Sequence, residues 1–140
     1  MTTHTRPAPA RPDTETTPGA AAQRAGWIVT ALVTAFLGFD AVTHLLGVEQ
    51  VRDASADLGI PDHVIPVCGA VLGILVVGYL VPRTRAMAVV LITAYLGGAV
   101  AVNLIAEQPA FNTVFAILTA VLVWAGAWPR DARLRTLLRA

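Results

Sequence analysis

Asp40 and His44 stand four residues apart, a spacing that brings two side chains to one face of a helix and within reach of each other. A carboxylate beside an imidazole is proton-handling chemistry. Histidine titrates near neutrality, and the carboxylate orients the ring and balances its charge. The pair sits inside Trp27–Gly47, WIVTALVTAFLGFDAVTHLLG, a stretch otherwise apolar almost throughout. Ionisable groups are costly at membrane depth, so both are expected to face protein. There they form either a structural pair that holds helices in register or a proton-handling or ligand-binding pair. Along a helix Asp40 lies ~20 Å and His44 ~26 Å from Trp27, and Asn103 of a later apolar stretch falls level with His44. Cys68 opens another such stretch. Asp40, His44, Asn103 and Cys68 are therefore the candidate ligand-binding residues, and none is assigned a catalytic role. Asn103 also suits an interhelical hydrogen bond and Cys68 simple packing. Two His and one Asp far apart in sequence make no metal-ligand pattern, so no metal is expected.

The elements that must hold these residues are apolar helices. The chain has 140 residues, 56% hydrophobic and 14% charged, with mean hydropathy +0.66. That composition excludes an ordinary soluble domain. Four spans are expected, at about 27–47, 64–81, 86–106 and 111–128, forming a transmembrane domain over 25–130. Each is near the ~20 residues that cross a bilayer. Pro66 falls in the first turn of the second span, where a missing N–H costs little, and Pro82 and Pro129 stop the second and fourth. Residues 1–24, rich in Thr, Pro, Ala and Arg, read as a disordered tail, and 131–140 as a basic cytoplasmic tail. The connection Val48–His63 is polar, with Gly59 and Pro61 ending any helix over Val51–Leu58; its His63 reads as a loop histidine.

Charge orients the spans. All ten basic residues are Arg, and nine of them (all but Arg52) fall on the side of the two termini. Glu49, Asp53, Asp57, Asp62 and Glu107 fall on the other. The positive-inside rule predicts both termini in the cytoplasm, and Trp27, Trp124 and Trp128 at the inner ends of their spans agree. The polar residues Asp40, His44, Asn103, Cys68, Asn112 and Thr113 then share one outer stratum. Repetition is visible as well. Thr34-Ala35-Phe36-Leu37-Gly38 recurs as Thr93-Ala94-Tyr95-Leu96-Gly97, and Val81-Pro82-Arg83 as Trp128-Pro129-Arg130. A two-helix duplication would make His44 and Asn103 equivalent. Gly69-x-x-x-Gly73 and Gly97-Gly98 are candidate helix-packing faces.

Repeated phosphate-binding glycines, zinc spacings and nucleophile elbows are missing, and the single cysteine excludes a dithiol. No nucleic-acid partner is expected. The run Leu58-Gly59-Ile60-Pro61, the stretch 64–81 ending Val81-Pro82-Arg83-Thr84, and LITAYLGGAVAVN (Leu91–Asn103) resemble the DoxX-like family of small bacterial membrane proteins. The resemblance covers about residues 27–135 and implies a four-helix transmembrane bundle in the bacterial cytoplasmic membrane. Some relatives are associated with thiosulfate:quinone oxidoreductase and others with membrane complexes that handle oxidative stress. Relatives often place Lys where this chain has His44, Glu where it has Leu72, and His where it has Asn103. Two functions follow as expectations. One is a membrane subunit of a quinone-linked redox system, with a redox partner protein and an outer polar pocket for quinone. The other is a non-enzymatic scaffold or small permease-like bundle, alone or as a homo-oligomer, with little room for a bulky cofactor.

Overall fold

The computed structural model describes residues 19–137. The described residues form six helices: α1 Ala20–Leu46, α2 Glu49–Asp57, α3 Ile65–Leu80, α4 Arg85–Ile105, α5 Ala110–Ala127 and α6 Ala132–Leu137, with a 3₁₀ turn at Trp128–Arg130. No strand occurs among the described residues. The four apolar helices stand in a ring: α1 packs on α3 and α5, and α4 packs on the same two from the other side. α1, α4 and the α5 segment running on to Arg130 are long and apolar enough to cross a membrane. The 16-residue α3 is shorter, about 24 Å. The outer surface is apolar: Phe39, Leu46, Ile74, Ile105 and Phe111 are each at least 70% exposed. In water such a belt would drive aggregation; in lipid it is the solvated surface.

Three stretches depart from the sequence expectations. α1 begins at Ala20, so residues 20–24 are helical where a tail was expected; Ala20-Ala21-Ala22-Gln23-Arg24 are strong helix formers, and the helix starts directly after Pro18-Gly19. The rest of that expected tail, residues 1–18, lies outside the described residues. The polar connection holds helix α2, which starts two residues earlier than expected and buries Ser55. At the other end α6 replaces part of the expected tail, because Leu134 finds a fully buried place in the core.

The two halves of the bundle are packed differently. In the half that carries the first turns of α1 and α4, side chains fill the interior: Tyr79, Val89, Ile92, Val123 and Leu134 are at most 1% exposed. The Tyr79 hydroxyl donates to the Val123 carbonyl at 2.9 Å and lies 3.4 Å from Thr30 Oγ1. This cluster is possible because Gly126 lets α5 come close to α1. A Cβ there would sit 2.8 Å from both hydroxyls and 3.1 Å from the Thr30 main-chain nitrogen. Trp124 Nε1 donates to Thr93 Oγ1 at 2.9 Å and ties α5 to α4.

Of the expected glycine faces, only Gly69 makes a close approach. A Cβ on Gly73 would find Ala41 Cβ at 3.9 Å, an ordinary contact, and one on Gly97 or Gly98 would meet nothing within 4 Å. Gly126→Ala should therefore cost about 1–3 kcal/mol of stability by overpacking. Gly97→Ala should be neutral or stabilising, since it adds helix propensity in open space. Thermal melts of the two variants in one detergent check the contrast.

Candidate functional site

The opposite half of the bundle is hollow. Here α4 turns small side chains inward, Ala94, Gly98 and Ala99, where one or two turns earlier it buries Val89 and Ile92. The space left is a cavity of about 500 Å³. Helix α2 and the residues after it close one end through Ser55, Leu58 and Ile60. Gln108 Nε2 reaches the Asp57 carbonyl at 3.4 Å and links α2 to the α4–α5 turn.

All four residues singled out by type and spacing line this cavity: Asp40 and His44 from α1, Cys68 from α3 and Asn103 from α4. Gly69 fixes the first two against the third. A Cβ on Gly69 would lie 2.8 Å from the Ala41 carbonyl oxygen, His44 Cβ and the Leu45 nitrogen, so α1 and α3 touch backbone to backbone at the level of His44. Three residues past His44 the helix ends at Gly47, whose φ of 58° is left-handed. Its N–H donates to the His44 carbonyl and the Val48 N–H to the Thr43 carbonyl, at 3.2 and 3.3 Å. Glycine takes this conformation without a Cβ penalty.

Within the site the polar groups are anchored locally. His44 Nδ1 lies 2.9 Å from the Asp40 main-chain oxygen and 3.4 Å from Asp40 Oδ1. A carbonyl oxygen only accepts, so Nδ1 carries the proton in this bond. The remaining nitrogen, Nε2, is an acceptor in the neutral ring and a donor in the charged one. Asn103 Nδ2 donates to the Ala99 carbonyl at 2.8 Å and keeps its second N–H and its amide oxygen. Thr43 Oγ1 also donates to the Asp40 carbonyl, at 2.9 Å.

The 59-residue offset between Thr34–Gly38 and Thr93–Gly97 carries into the geometry. Phe36 and Tyr95, Asp40 and Ala99, and His44 and Asn103 are three such pairs, and all six residues line the cavity. His44 and Asn103 make the same bond, to the carbonyl four residues back.

Residue-type reasoning missed Tyr95, Ser55 and the aromatic wall where Phe36 meets Phe115 edge to face at 5.3 Å. The repeat was the signal for Tyr95, which adds a hydroxyl at the place of Phe36. Nothing in the sequence announced Ser55, because its part in the cavity depends on α2 folding back over the bundle. His63 is exposed in the connection before α3, outside the cavity.

A second hollow of about 490 Å³ runs along the outside of the bundle between α4 and α5. Its lining is nearly all apolar and includes Gly97, Val100, Ala120 and Trp124. Leu96 and Ala116 line both spaces, so the cavity and the groove share part of a wall. A cavity of 500 Å³ also removes the expectation that the bundle is too narrow for a cofactor-sized molecule.

Cys68 is the one cysteine of the chain and is half-buried on the cavity wall, which makes it a reporter of access. Gly98→Phe should narrow the space from the cavity wall, where a Cβ at Gly98 meets nothing within 4 Å. Labelling of Cys68 by N-ethylmaleimide should slow severalfold in this variant at unchanged melting temperature. An unchanged rate would show that the thiol is reached by another path.

No curated protein and no solved structure matches the chain. Residues 28–126 match the DoxX-like family, and the matched segment runs from the first helix to the packed end of the last apolar one, enclosing every candidate residue of the cavity. The chain is an integral membrane protein of the DoxX-like family.

Proposed function

We propose that the cavity binds the ring of a membrane-dissolved quinone and that the protein is a membrane subunit of a quinone-linked redox system. The observation that carries this is the convergence of Asp40, His44 and Asn103 on one largely apolar cavity of about 500 Å³. A planar ring with two carbonyl acceptors fits a space of that size and polarity. Reduction of such a ring takes up two electrons, from a partner redox protein, and two protons, one from His44 Nε2 and one from water admitted to the cavity. His44 Nε2 and the free N–H of Asn103 are the donors for the carbonyl oxygens. Asp40 Oδ1, 3.4 Å from Nδ1, balances the imidazolium while the ring holds a proton at Nε2. The groove between α4 and α5 supports a ligand that arrives from the lipid, because it shares Leu96 and Ala116 with the cavity wall.

The same proposal includes a four-span topology in a bacterial cytoplasmic membrane, with both termini inside and the cavity in the outer half. The distribution of Arg and Trp supports it. It includes a two-helix duplication too, supported by the matched cavity positions of α1 and α4.

One observation favours a second reading, a non-enzymatic scaffold. His44 and Asn103 already bond carbonyls of their own helices, which is how a polar side chain is hidden in a membrane with no ligand at all. Titration of the purified chain with decylubiquinone, followed by thermal shift, separates the two. On the quinone reading the wild type is stabilised, and His44→Ala and Asn103→Leu each weaken binding by about tenfold or more while the ligand-free protein keeps its melting temperature. If no quinone copurifies and none shifts the melt, or if the variants lose only stability, the scaffold reading holds. A reporter fused after Ala140 should stay cytoplasmic; a periplasmic signal overturns the orientation.

A further inference from the structure

The end of the bundle away from the cavity holds a third hollow, of about 450 Å³, walled by Trp27, Pro82 and Pro129 and lined by three arginines: Arg85, Arg130 and Arg135. Among the described residues no carboxylate lines it, and none of the three guanidinium groups lies within 4.0 Å of one. Asp131, next in the chain to Arg130, is turned to α6 instead: its Oδ1 accepts from the Arg133 N–H at 3.0 Å.

What holds the arginines carries no net charge. Arg85, only 5% exposed, donates from Nε to the Tyr79 carbonyl at 3.3 Å and from Nη2 to the Leu80 carbonyl at 3.4 Å. Arg135 Nη1 donates to the Trp128 carbonyl at 3.1 Å. Arg130 is stacked on the face of Trp27, its central carbon 3.5 Å from the ring centroid. Its Nη1 is shielded from solvent and has no hydrogen-bond partner among the described residues. Three like charges are thus gathered in one concavity by dipoles and a ring, with a shielded donor left unused. Such an arrangement is unfavourable on its own and is relieved by an anion.

We propose that this hollow is a phosphate-binding site, in which the guanidinium groups of Arg85, Arg130 and Arg135 clamp the phosphate of an anionic ligand. Guanidinium forks match phosphate oxygens in geometry and charge. Two sources share that chemistry, an anionic phospholipid headgroup and a soluble phosphate. The position favours the first: Trp27 and Trp128 stand at this end of the bundle, as tryptophans do at headgroup level, and basic hollows between membrane helices take lipid phosphates.

The test uses the full chain in detergent, with native mass spectrometry counting bound phosphatidylglycerol against phosphatidylcholine, and thermal melts in inorganic phosphate. Arg130→Gln removes the unused donor. Arg133→Gln removes an equal charge outside the hollow, from a side chain that donates to the Arg83 carbonyl. The wild type should retain phosphatidylglycerol over phosphatidylcholine by about tenfold; Arg130→Gln should bring that ratio near one and Arg133→Gln leave it unchanged. Stabilisation by inorganic phosphate, lost in Arg130→Gln and without a lipid preference, would keep the site and assign it to a soluble phosphate. Equal losses in both variants would reduce the effect to diffuse charge and overturn the site. So would the absence of both the lipid preference and the phosphate stabilisation. If Arg130→Gln does not fold, Arg135→Gln on the short last helix takes its place with the same outcomes.

Discussion

Two backbone contacts on α1 set the geometry of this bundle. At Gly69 the α3 backbone lies against α1 beside Ala41 and His44, and at Gly126 the α5 backbone lies against α1 beside Thr30. The contacts fall in opposite halves of the molecule and on different neighbours. Helix association in lipid has no hydrophobic drive behind it, so the gain comes from close van der Waals contact, and glycine allows the closest. With α1 held on two sides, the diagonal helix α4 is left to decide how much of the interior is filled. It fills one half with Val89 and Ile92 and leaves the other open with Ala94, Gly98 and Ala99.

The polar groups obey a second constraint. In hydrocarbon, an unsatisfied donor or acceptor has no water to turn to. Thr93, Thr119 and Asn103 donate to carbonyls four residues back, His44 bonds likewise, and the Tyr79 hydroxyl reaches across to the Val123 carbonyl. These bonds leave Nε2 of His44 and half of the Asn103 amide unspent, and both belong to residues on the cavity wall. Thr34 and Thr113 keep buried hydroxyls without a partner among the described residues, but Nε2 of His44 and the Asn103 amide face a space large enough for a ligand. The opposite end concentrates positive charge in the same way, since Arg85, Arg130 and Arg135 are held by carbonyls and by Trp27 rather than by carboxylates.

The ends of α3, α4 and α5, and the last turn of α1, were legible in the sequence to within a residue. Length, apolar content and the stops at Pro82, Pro129 and Gly47 are local properties, and they survive folding because each membrane helix closes its own backbone hydrogen bonds. The pairing of Asp40 with His44 was legible for the same reason, since i, i+4 spacing is a property of one helix. The Ala-rich start of α1 and helix α6 were read as tail, and α2 only as a possible short helix over Val51–Leu58, because short polar helices draw their stability from packing, which no single segment displays. Gly69 and Gly97 look alike as small residues in apolar runs. One is a backbone contact and the other faces an open groove, and only the partner helix distinguishes them.

Residue types alone, then, determined that this chain enters a membrane, where its helices run, and which few side chains in them are worth the cost of burial. The tertiary structure decided that Asp40, His44, Cys68 and Asn103 share one cavity, that Tyr95 and Ser55 join them, and that three arginines from separate elements meet at the far end. The reason is physical. A helix specifies its own hydrogen bonds and faces, whereas an empty volume exists only between helices and depends on side chains that fail to fill it.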